Sequence, residues 1–138
     1  MANKNRLYPH LLPEDIILWE RFLTLHGAEF SHFEYDIRVG QGRRAPDNLP
    51  ENIQQMALDL SMRRIDAVGY TTNELYIIEV TVSAGLKAIG QLITYPILYT
   101  ETYHPTRPLH PLLITESLQP DVLPALEAHQ IDYLILTP

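Results

Sequence analysis

Apolar residues recur along the chain with two different periods, and each change of period marks a new predicted element. A helical period predicts a first helix over Glu14–His26, and strict alternation predicts a half-buried strand over Phe30–Val39. A short helix is predicted after Pro50, because proline favours the first helical turn and the next apolar residues keep the helical spacing. These apolar residues are Ile53, Met56, Ala57 and Leu60.

The middle of the chain predicts a β-hairpin. Two strand-like runs, Met62–Tyr70 and Leu75–Val82, flank the polar segment Thr71–Glu74. A tight turn centred in that segment places Asp66 directly opposite Glu79 on the neighbouring strand. Because side chains alternate along a strand, the two carboxylates are expected to share one face of the hairpin.

The second half of the chain alternates between helices and strands. A helix is predicted over Ala84–Tyr95, and it is expected to bend or end there because Pro96 lacks the amide hydrogen that a helix requires. The strand Leu109–Thr115, the helix Pro120–His129 and the strand Ile131–Thr137 follow. This order predicts an α/β fold in which a central mixed β-sheet is flanked by helices on both faces.

Composition limits the classes of protein to which the chain can belong. Its 138 residues suit a single domain spanning 1–138. The absence of cysteine excludes disulfide scaffolds, thiol nucleophiles and cysteine-bound zinc. Residues 1–6 carry no apolar signal core, and no run approaches the roughly 18 apolar residues that span a bilayer, so a soluble, cytoplasmic protein is expected.

Charge is unevenly distributed along the chain. The formal net charge of -7 argues against general binding to nucleic acid, which depends on basic surface. Residues 38–64, however, hold five arginines against three acids. Four of these arginines are candidate nucleic-acid-binding residues close to the hairpin in sequence: Arg43, Arg44, Arg63 and Arg64. A solvated loop, or a docking surface for an acidic partner, would produce the same pattern.

Glu79 is an acid within an otherwise apolar strand. Burying an unpaired carboxylate is costly, so Asp66 and Glu79 side by side require a compensating charge. A divalent cation would supply it, since Mg²⁺ prefers oxygen ligands and binds through one or two carboxylates. An internal salt bridge to Arg63 or Arg64 would also compensate the two acids.

The predicted helix after the hairpin carries a polar stripe. Lys87, Gln91 and Tyr95 follow one another at intervals of four residues and therefore lie on one helix face. A solvent-exposed face would account for the lysine and the glutamine equally well. Only the combination of this stripe with the two hairpin acids is informative.

That combination resembles the PD-(D/E)XK nuclease superfamily, whose members share the restriction endonuclease-like fold. The matching segments are Arg64-Ile-Asp66-Ala-Val-Gly, Ile-Ile-Glu79-Val-Thr81 and Gly85-Leu-Lys-Ala-Ile-Gly-Gln91-Leu-Ile-Thr-Tyr95. The resemblance implies that Asp66 and Glu79 bind Mg²⁺ and that Gln91 and Tyr95 form the Gln-x-x-x-Tyr motif of exonuclease-like branches. It also implies a metal-assisting acid on the first helix, for which Glu20 is the best candidate.

The chain departs from the family pattern at Thr81, which stands where the family has a lysine. Threonine cannot supply the positive charge that stabilises a reacting phosphate or activates a water molecule. In the predicted register Arg64 lies opposite Thr81, but arginine cannot act as a general base because it stays protonated. Lys87, at the start of the next helix, is therefore the better substitute.

Two functions follow from these residues. The first is a nuclease-fold protein that has lost the reaction and serves as a structural or assembly component, such as a phage head-to-tail (neck) protein in a virion. Its partners would be other protein subunits or further copies of itself. The alternative is a Mg²⁺-dependent DNA endonuclease or exonuclease in which Lys87 replaces the motif lysine. Thr81 and the net negative charge favour the first function.

Overall fold

The computed structural model describes residues 7–138, so the prediction for residues 1–6 lies outside the described residues. In chain order, the helices of this range are α1 (Pro13–His26), α2 (Glu51–Ser61), α3 (Leu86–Tyr103) and α4 (Val122–Ala128). Its strands are β1 (His32–Val39), β2 (Arg63–Tyr70), β3 (Leu75–Val80), β4 (Ser83–Ala84), β5 (Leu109–Thr115), β6 (Ser117–Leu118) and β7 (Asp132–Ile135). None of these helices is long and apolar enough to cross a membrane.

Five strands form one mixed sheet in the order β1-β2-β3-β5-β7. The pairs β1–β2 and β2–β3 are antiparallel, whereas β3–β5 and β5–β7 are parallel. The hairpin has the predicted register, with Ala67 opposite Ile78 and Tyr70 opposite Leu75. The short strands β4 and β6, which the sequence pattern did not predict, form a separate parallel pair beside the end of β3.

Helices cover both faces of the sheet, as predicted. On one face α1 packs through buried Trp19 and Phe22 against alternate residues of the central strands, including Ile78 and Ile114. On the other face α3 and α4 pack against the intervening residues. These contacts form two clusters, one with Leu92, Leu113 and Leu126 and the other with Val68, Ile77, Tyr95 and Tyr99. Burial of these apolar side chains on both faces explains why the sequences of the central strands are almost continuously apolar.

The alternation predicted along β1 is wrong beyond its midpoint. Phe33 and Tyr35 pack in the cluster beneath α1, but Ile37 and Val39 pack in a cluster on the α3 face. Between these pairs, Asp36 has a φ of 54°, in the left-handed region that aspartate tolerates better than most residues. One such residue breaks the regular alternation, and apolar residues of one apparent stripe therefore face opposite sides of the sheet.

The third helix is longer than predicted. α3 continues through Pro96 to Tyr103, where His104 adopts a left-handed conformation and donates its backbone N–H to the Thr100 carbonyl. A proline inside a helix removes one hydrogen bond, but Tyr95 and Tyr99 on either side of it are buried against the sheet. Tertiary packing therefore holds the helix together across the proline.

The second helix does not bury the apolar face that its sequence predicts. Met56 and Leu60 are 55% and 71% exposed, whereas Gln54 is 1% exposed and donates a 2.7 Å hydrogen bond to the Pro46 carbonyl. The backbone N–H of Arg43 donates to the Ser61 hydroxyl at the end of α2. The helix therefore braces the loop 40–46 instead of contributing to the core.

Gly42 is expected to be intolerant of substitution because of this bracing. It has a φ of 70°, and an added Cβ would lie against the carbonyl oxygen of Leu58 and the hydroxyl of Ser61. Gly42→Ala should destabilise the protein by about 1–3 kcal/mol, measured as a lower urea midpoint with an unchanged denaturant slope. The matched control is Gly90→Ala, since a Cβ at that helical glycine meets nothing within 4 Å and should stabilise the protein slightly. Equal midpoints for the two variants would contradict this account of the loop.

Candidate active site

The two acids of the hairpin lie side by side where the β2–β3 ladder opens. Asp66 precedes the paired segment of β2, and Glu79 follows the paired segment of β3. The backbone N–H of Val80 donates a hydrogen bond of 2.8 Å to Oδ2 of Asp66, so a side chain continues the contact between the strands. The carboxyl groups of Asp66 and Glu79 adjoin each other, and each shifts the pKa of the other. The structure thus brings together the two acids that the hairpin register predicted.

The environment of the two acids separates their pKa values. Glu79 is 2% exposed, and this burial together with the charge of Asp66 raises its pKa well above the ordinary value. Burial alone would raise the pKa of Asp66 as well, but interactions with its neighbours, first Glu79 and then His10, lower it. Without a cation, Asp66 therefore ionises before Glu79, and Glu79 retains its proton to higher pH.

The polar stripe of α3 lies against these acids. Gln91 Nε2 donates a hydrogen bond of 3.4 Å to the hydroxyl of Tyr95. Burial raises the pKa of Tyr95, and the charges of Glu79 and Asp66 add to the rise, which shows that the phenol lies near both acids. Lys87 is exposed, but its charge opposes the rise of the Glu79 pKa. The charge of Lys87 thus acts on Glu79 and the charges of both acids act on Tyr95, to which Gln91 is hydrogen-bonded.

One acid of α1 that the sequence did not single out, Asp15, interacts electrostatically with Asp66. Burial raises the pKa of Asp15 to about 6, and the charge of Asp66 adds to this rise. Glu20, the predicted helical acid, is half-buried further along α1, where its charge raises the pKa of Tyr35. A role for Glu20 stays a prediction, and Asp15 is the better placed candidate.

A histidine also contacts the acids, although no histidine was predicted at the site. His10 lies just before α1 with its side chain 9% exposed, and its Nε2 is 3.0 Å from Oδ1 of Asp66. Its Nδ1 is 3.6 Å from Oδ1 of Asp36 on β1.

Arg64 forms a two-point ion pair with the same Asp36, so its guanidinium is not directed at Thr81 as the extended register had suggested. β3 ends at Val80, which leaves Thr81 outside the ladder.

Two of the four predicted DNA-contacting arginines line surface depressions beside the polar stripe of α3. Arg63, Lys87, Gln91 and Tyr95 line one surface depression, and Arg63 also lines a second depression together with Arg43. The shared Arg63 joins the two depressions into one basic strip, defined by Lys87, Arg63 and Arg43. No acidic residue lines either depression. Arg44 is exposed in the same loop, and Arg64 belongs to the Asp36 ion pair.

The acid pair has the chemistry of a Mg²⁺ or Mn²⁺ site. Oε1 of Glu79 is buried and has no hydrogen-bond partner within residues 7–138, a costly arrangement that an oxygen-binding cation would relieve. In the same range no three His, Asp or Glu side chains are grouped in a way that could hold a metal ion. The two carboxylates and the unpartnered oxygen would nevertheless fit a cation bound through two carboxylates and water, as Mg²⁺ often is.

Comparison with known proteins identifies similar structures but no similar sequences. No protein-family model matches the chain, and no curated protein matches it. The structure of EndoMS in complex with dsDNA superposes with a TM-score of 0.51 at 16% identity, over 93% of this chain and 46% of that one. The crystal structure of a repair endonuclease from Pyrococcus abyssi gives a TM-score of 0.50 at 16% identity, over 94% of this chain and 49% of that one.

The chain thus spans about half the length of the solved structures that it matches. One is described as a complex of EndoMS with dsDNA and the other as a repair endonuclease, and neither description supports a role in a phage particle. At this identity the similarity concerns the backbone arrangement, namely the mixed sheet with helices on both faces. The chain has the restriction endonuclease-like fold that the two endonuclease structures share.

Proposed function

We propose that this protein is a metal-dependent DNA nuclease in which Lys87 replaces the lysine missing at Thr81. The proposal rests above all on the buried pair of Asp66 and Glu79, because an unpartnered Glu79 oxygen beside the charge of Asp66 indicates a site built for a cation. Lys87 is the only lysine among residues 7–138, and its charge already acts on Glu79. Two structural neighbours are DNA-acting endonucleases, which supports DNA as the substrate.

Each residue of the site has a role that its chemistry allows. Asp66 and Glu79 would hold the cation, which when bound polarises a phosphate oxygen and activates water. Lys87 places a positive charge where negative charge develops on the phosphate during hydrolysis. The raised pKa of Tyr95 keeps its hydroxyl protonated at neutral pH, so this group donates hydrogen bonds, and Gln91 fixes its position.

The basic strip supplies binding and orientation. Arg63 lines one depression with Lys87 and a second one with Arg43, and no acidic residue lines either. A phosphate backbone lying on these three cations would have one of its phosphates beside Lys87, whose charge acts on Glu79. Local positive charge of this kind permits DNA binding despite the formal net charge of -7.

An assembly component that has lost catalysis is the second candidate, because Thr81 removes the charge that the family pattern places beside its glutamate. The two candidates make opposite predictions for purified protein incubated with linear or circular DNA and Mg²⁺ or Mn²⁺. A nuclease cleaves the DNA, and Glu79→Gln should reduce cleavage about 100-fold or more, since a bound cation contributes several kcal/mol to such reactions.

Glu101→Gln is a matched control for Glu79→Gln, because it removes the same charge from an exposed position on α3. It should cleave DNA like the wild type. Absence of cleavage by the wild type with every divalent cation tested, together with formation of a closed ring or another defined assembly, would contradict the nuclease proposal and favour the assembly role.

A further inference from the structure

The segment before α1 is anchored so that it presents one side chain to the acid pair. Tyr8 and Leu11 are 6% and 9% exposed and belong to the core beneath α1, and the Tyr8 ring packs edge-on against Tyr35 at 4.8 Å. His10 lies between these two anchors. Its backbone is therefore held on both sides, and its ring reaches into the narrow space between Asp36 and Asp66.

Asp36 is itself firmly held. Its two carboxylate oxygens accept hydrogen bonds from Nε and Nη2 of Arg64, the two-point geometry that gives arginine pairs their directional precision. Its backbone takes a left-handed conformation that directs the strand around this side chain. Arg64, Asp36, His10 and Asp66 consequently form a continuous series of contacts across the strands β1 and β2 and the segment before α1.

The last residue of this series is Asp66, one of the two carboxylates proposed to bind the cation. Oδ1 of Asp66 faces His10 Nε2, and Oδ2 of Asp66 accepts a hydrogen bond from Val80 N–H. The two contacts come from different elements and meet the two oxygens of one carboxylate. Neither ring nitrogen of His10 has hydrogen-bond geometry to a partner among residues 7–138, so the 3.0 Å approach of Nε2 to Asp66 is a close polar contact.

We propose that His10 is a positioning residue for metal binding: through Nε2 it holds the Asp66 carboxylate in the orientation that presents it, beside Glu79, to the divalent cation. This inference rests on the proposed function. Groups that hold a metal ligand in place typically contribute 10–100-fold to metal affinity, so loss of the His10 contact should weaken Mn²⁺ binding by about that factor. His10 touches neither substrate nor cation in this role.

A residue that merely fills space would behave differently, and two isosteric substitutions separate the possibilities. The amide nitrogen of glutamine can take the place of imidazole Nε2, whereas that of asparagine can take only the place of Nδ1. His10→Gln should therefore keep the contact with Asp66, and His10→Asn should keep only the contact with Asp36. Mn²⁺ affinity, measured from the electron paramagnetic resonance signal of free Mn²⁺, should be near wild type for the first variant and reduced about 10–100-fold for the second.

A double-mutant comparison of Asp36 and His10 provides a second test of the role of His10. Asp36→Asn should weaken Mn²⁺ binding in the wild-type background but have no further effect in His10→Ala, because Asp36 acts on Asp66 only through the ring. In the unmutated protein, the nitrogen-15 resonances of the His10 ring should shift when Mg²⁺ is added. This last measurement needs no variant and remains decisive if His10→Ala fails to fold.

Equal Mn²⁺ affinities for wild type, His10→Gln and His10→Asn would overturn the positioning role of His10 while leaving the proposed function intact. So would His10 resonances that are unchanged while Mg²⁺ binds. If the wild-type protein binds neither Mn²⁺ nor Mg²⁺, the proposed function is contradicted, and the proposed role of His10 fails as a consequence. Equal losses of affinity in the glutamine and asparagine variants would assign His10 a packing role instead.

Discussion

Replacing Lys87 by alanine is expected to lower the single-turnover rate of DNA cleavage by about 10²–10³-fold, the usual cost of removing one group that stabilises charge in a transition state. Mn²⁺ affinity should not fall, because the Lys87 charge opposes a cation at Glu79. A rate measured at saturating DNA and metal separates the two effects. A variant that loses metal binding in parallel with cleavage would show that Lys87 acts on the fold of the site and not on the reaction.

Lys87→Arg tests what the ammonium does. Arginine keeps the positive charge but cannot release a proton at any ordinary pH. Lys87→Arg should therefore retain cleavage if only the charge matters, and should lose cleavage if Lys87 must exchange a proton with water. Arg107→Ala is the matched control, because Arg107 packs over the Tyr70 ring and does not line either depression of the basic strip. It should cleave DNA at the wild-type rate. A wild-type rate for Lys87→Ala itself would remove the main support for a relocated lysine.

The acid pair could be predicted from sequence because local rules determine it. A short polar turn fixes the register of a hairpin, alternation then fixes the face of each side chain, and together they place Asp66 beside Glu79. The stripe of Lys87, Gln91 and Tyr95 follows from helical spacing in the same way. What the sequence could not show is the distance between the stripe and the acids, because that depends on how α3 crosses the sheet.

Asp15 and His10 were missed for the same reason. Their contacts with Asp66 depend on where α1 and the segment before it lie on the sheet, and no local period encodes that position. A partial signal is present, since His10 stands between two apolar residues, Tyr8 and Leu11, that are both buried. A polar residue held between two core residues is directed at something specific more often than one in a solvated loop.

The errors in the prediction of the fold also have local physical causes. Asp36 breaks the alternation of β1 through one left-handed residue, which no apolar pattern reveals. Pro96 is tolerated inside α3 because the tyrosines around it are buried. Met56 and Leu60 have the spacing of a core face but stay exposed, because α2 packs through Gln54 against the loop that it braces.

In the absence of metal, the free energy of unfolding is expected to fall as pH rises from about 4 to 8. Burial raises the pKa of Glu79 well above 4.5 and that of Asp15 to about 6, so both acids bind protons more tightly in the folded than in the unfolded protein. Their contribution to stability is therefore complete at acidic pH and is lost as pH rises through the folded pKa values. Asp66, whose pKa is lowered from 3.8, contributes in the opposite direction, but only at pH values near or below 3.8.

Glu79→Gln should remove most of this pH dependence. Glutamine resembles the protonated acid in shape and cannot ionise, so at pH 8 the metal-free variant should be more stable than the wild type by about 1–3 kcal/mol, the typical cost of leaving a buried group unsatisfied. Urea unfolding at several pH values in the presence of a chelator measures this difference.

Mg²⁺ should stabilise the wild type more as pH rises, because binding requires both carboxylates to be ionised, and should have little effect on the variant. A metal-free wild type whose stability increases between pH 5 and 8 would mean that folding does not raise the pKa of Glu79. A variant stabilised by Mg²⁺ as strongly as the wild type would place the cation elsewhere.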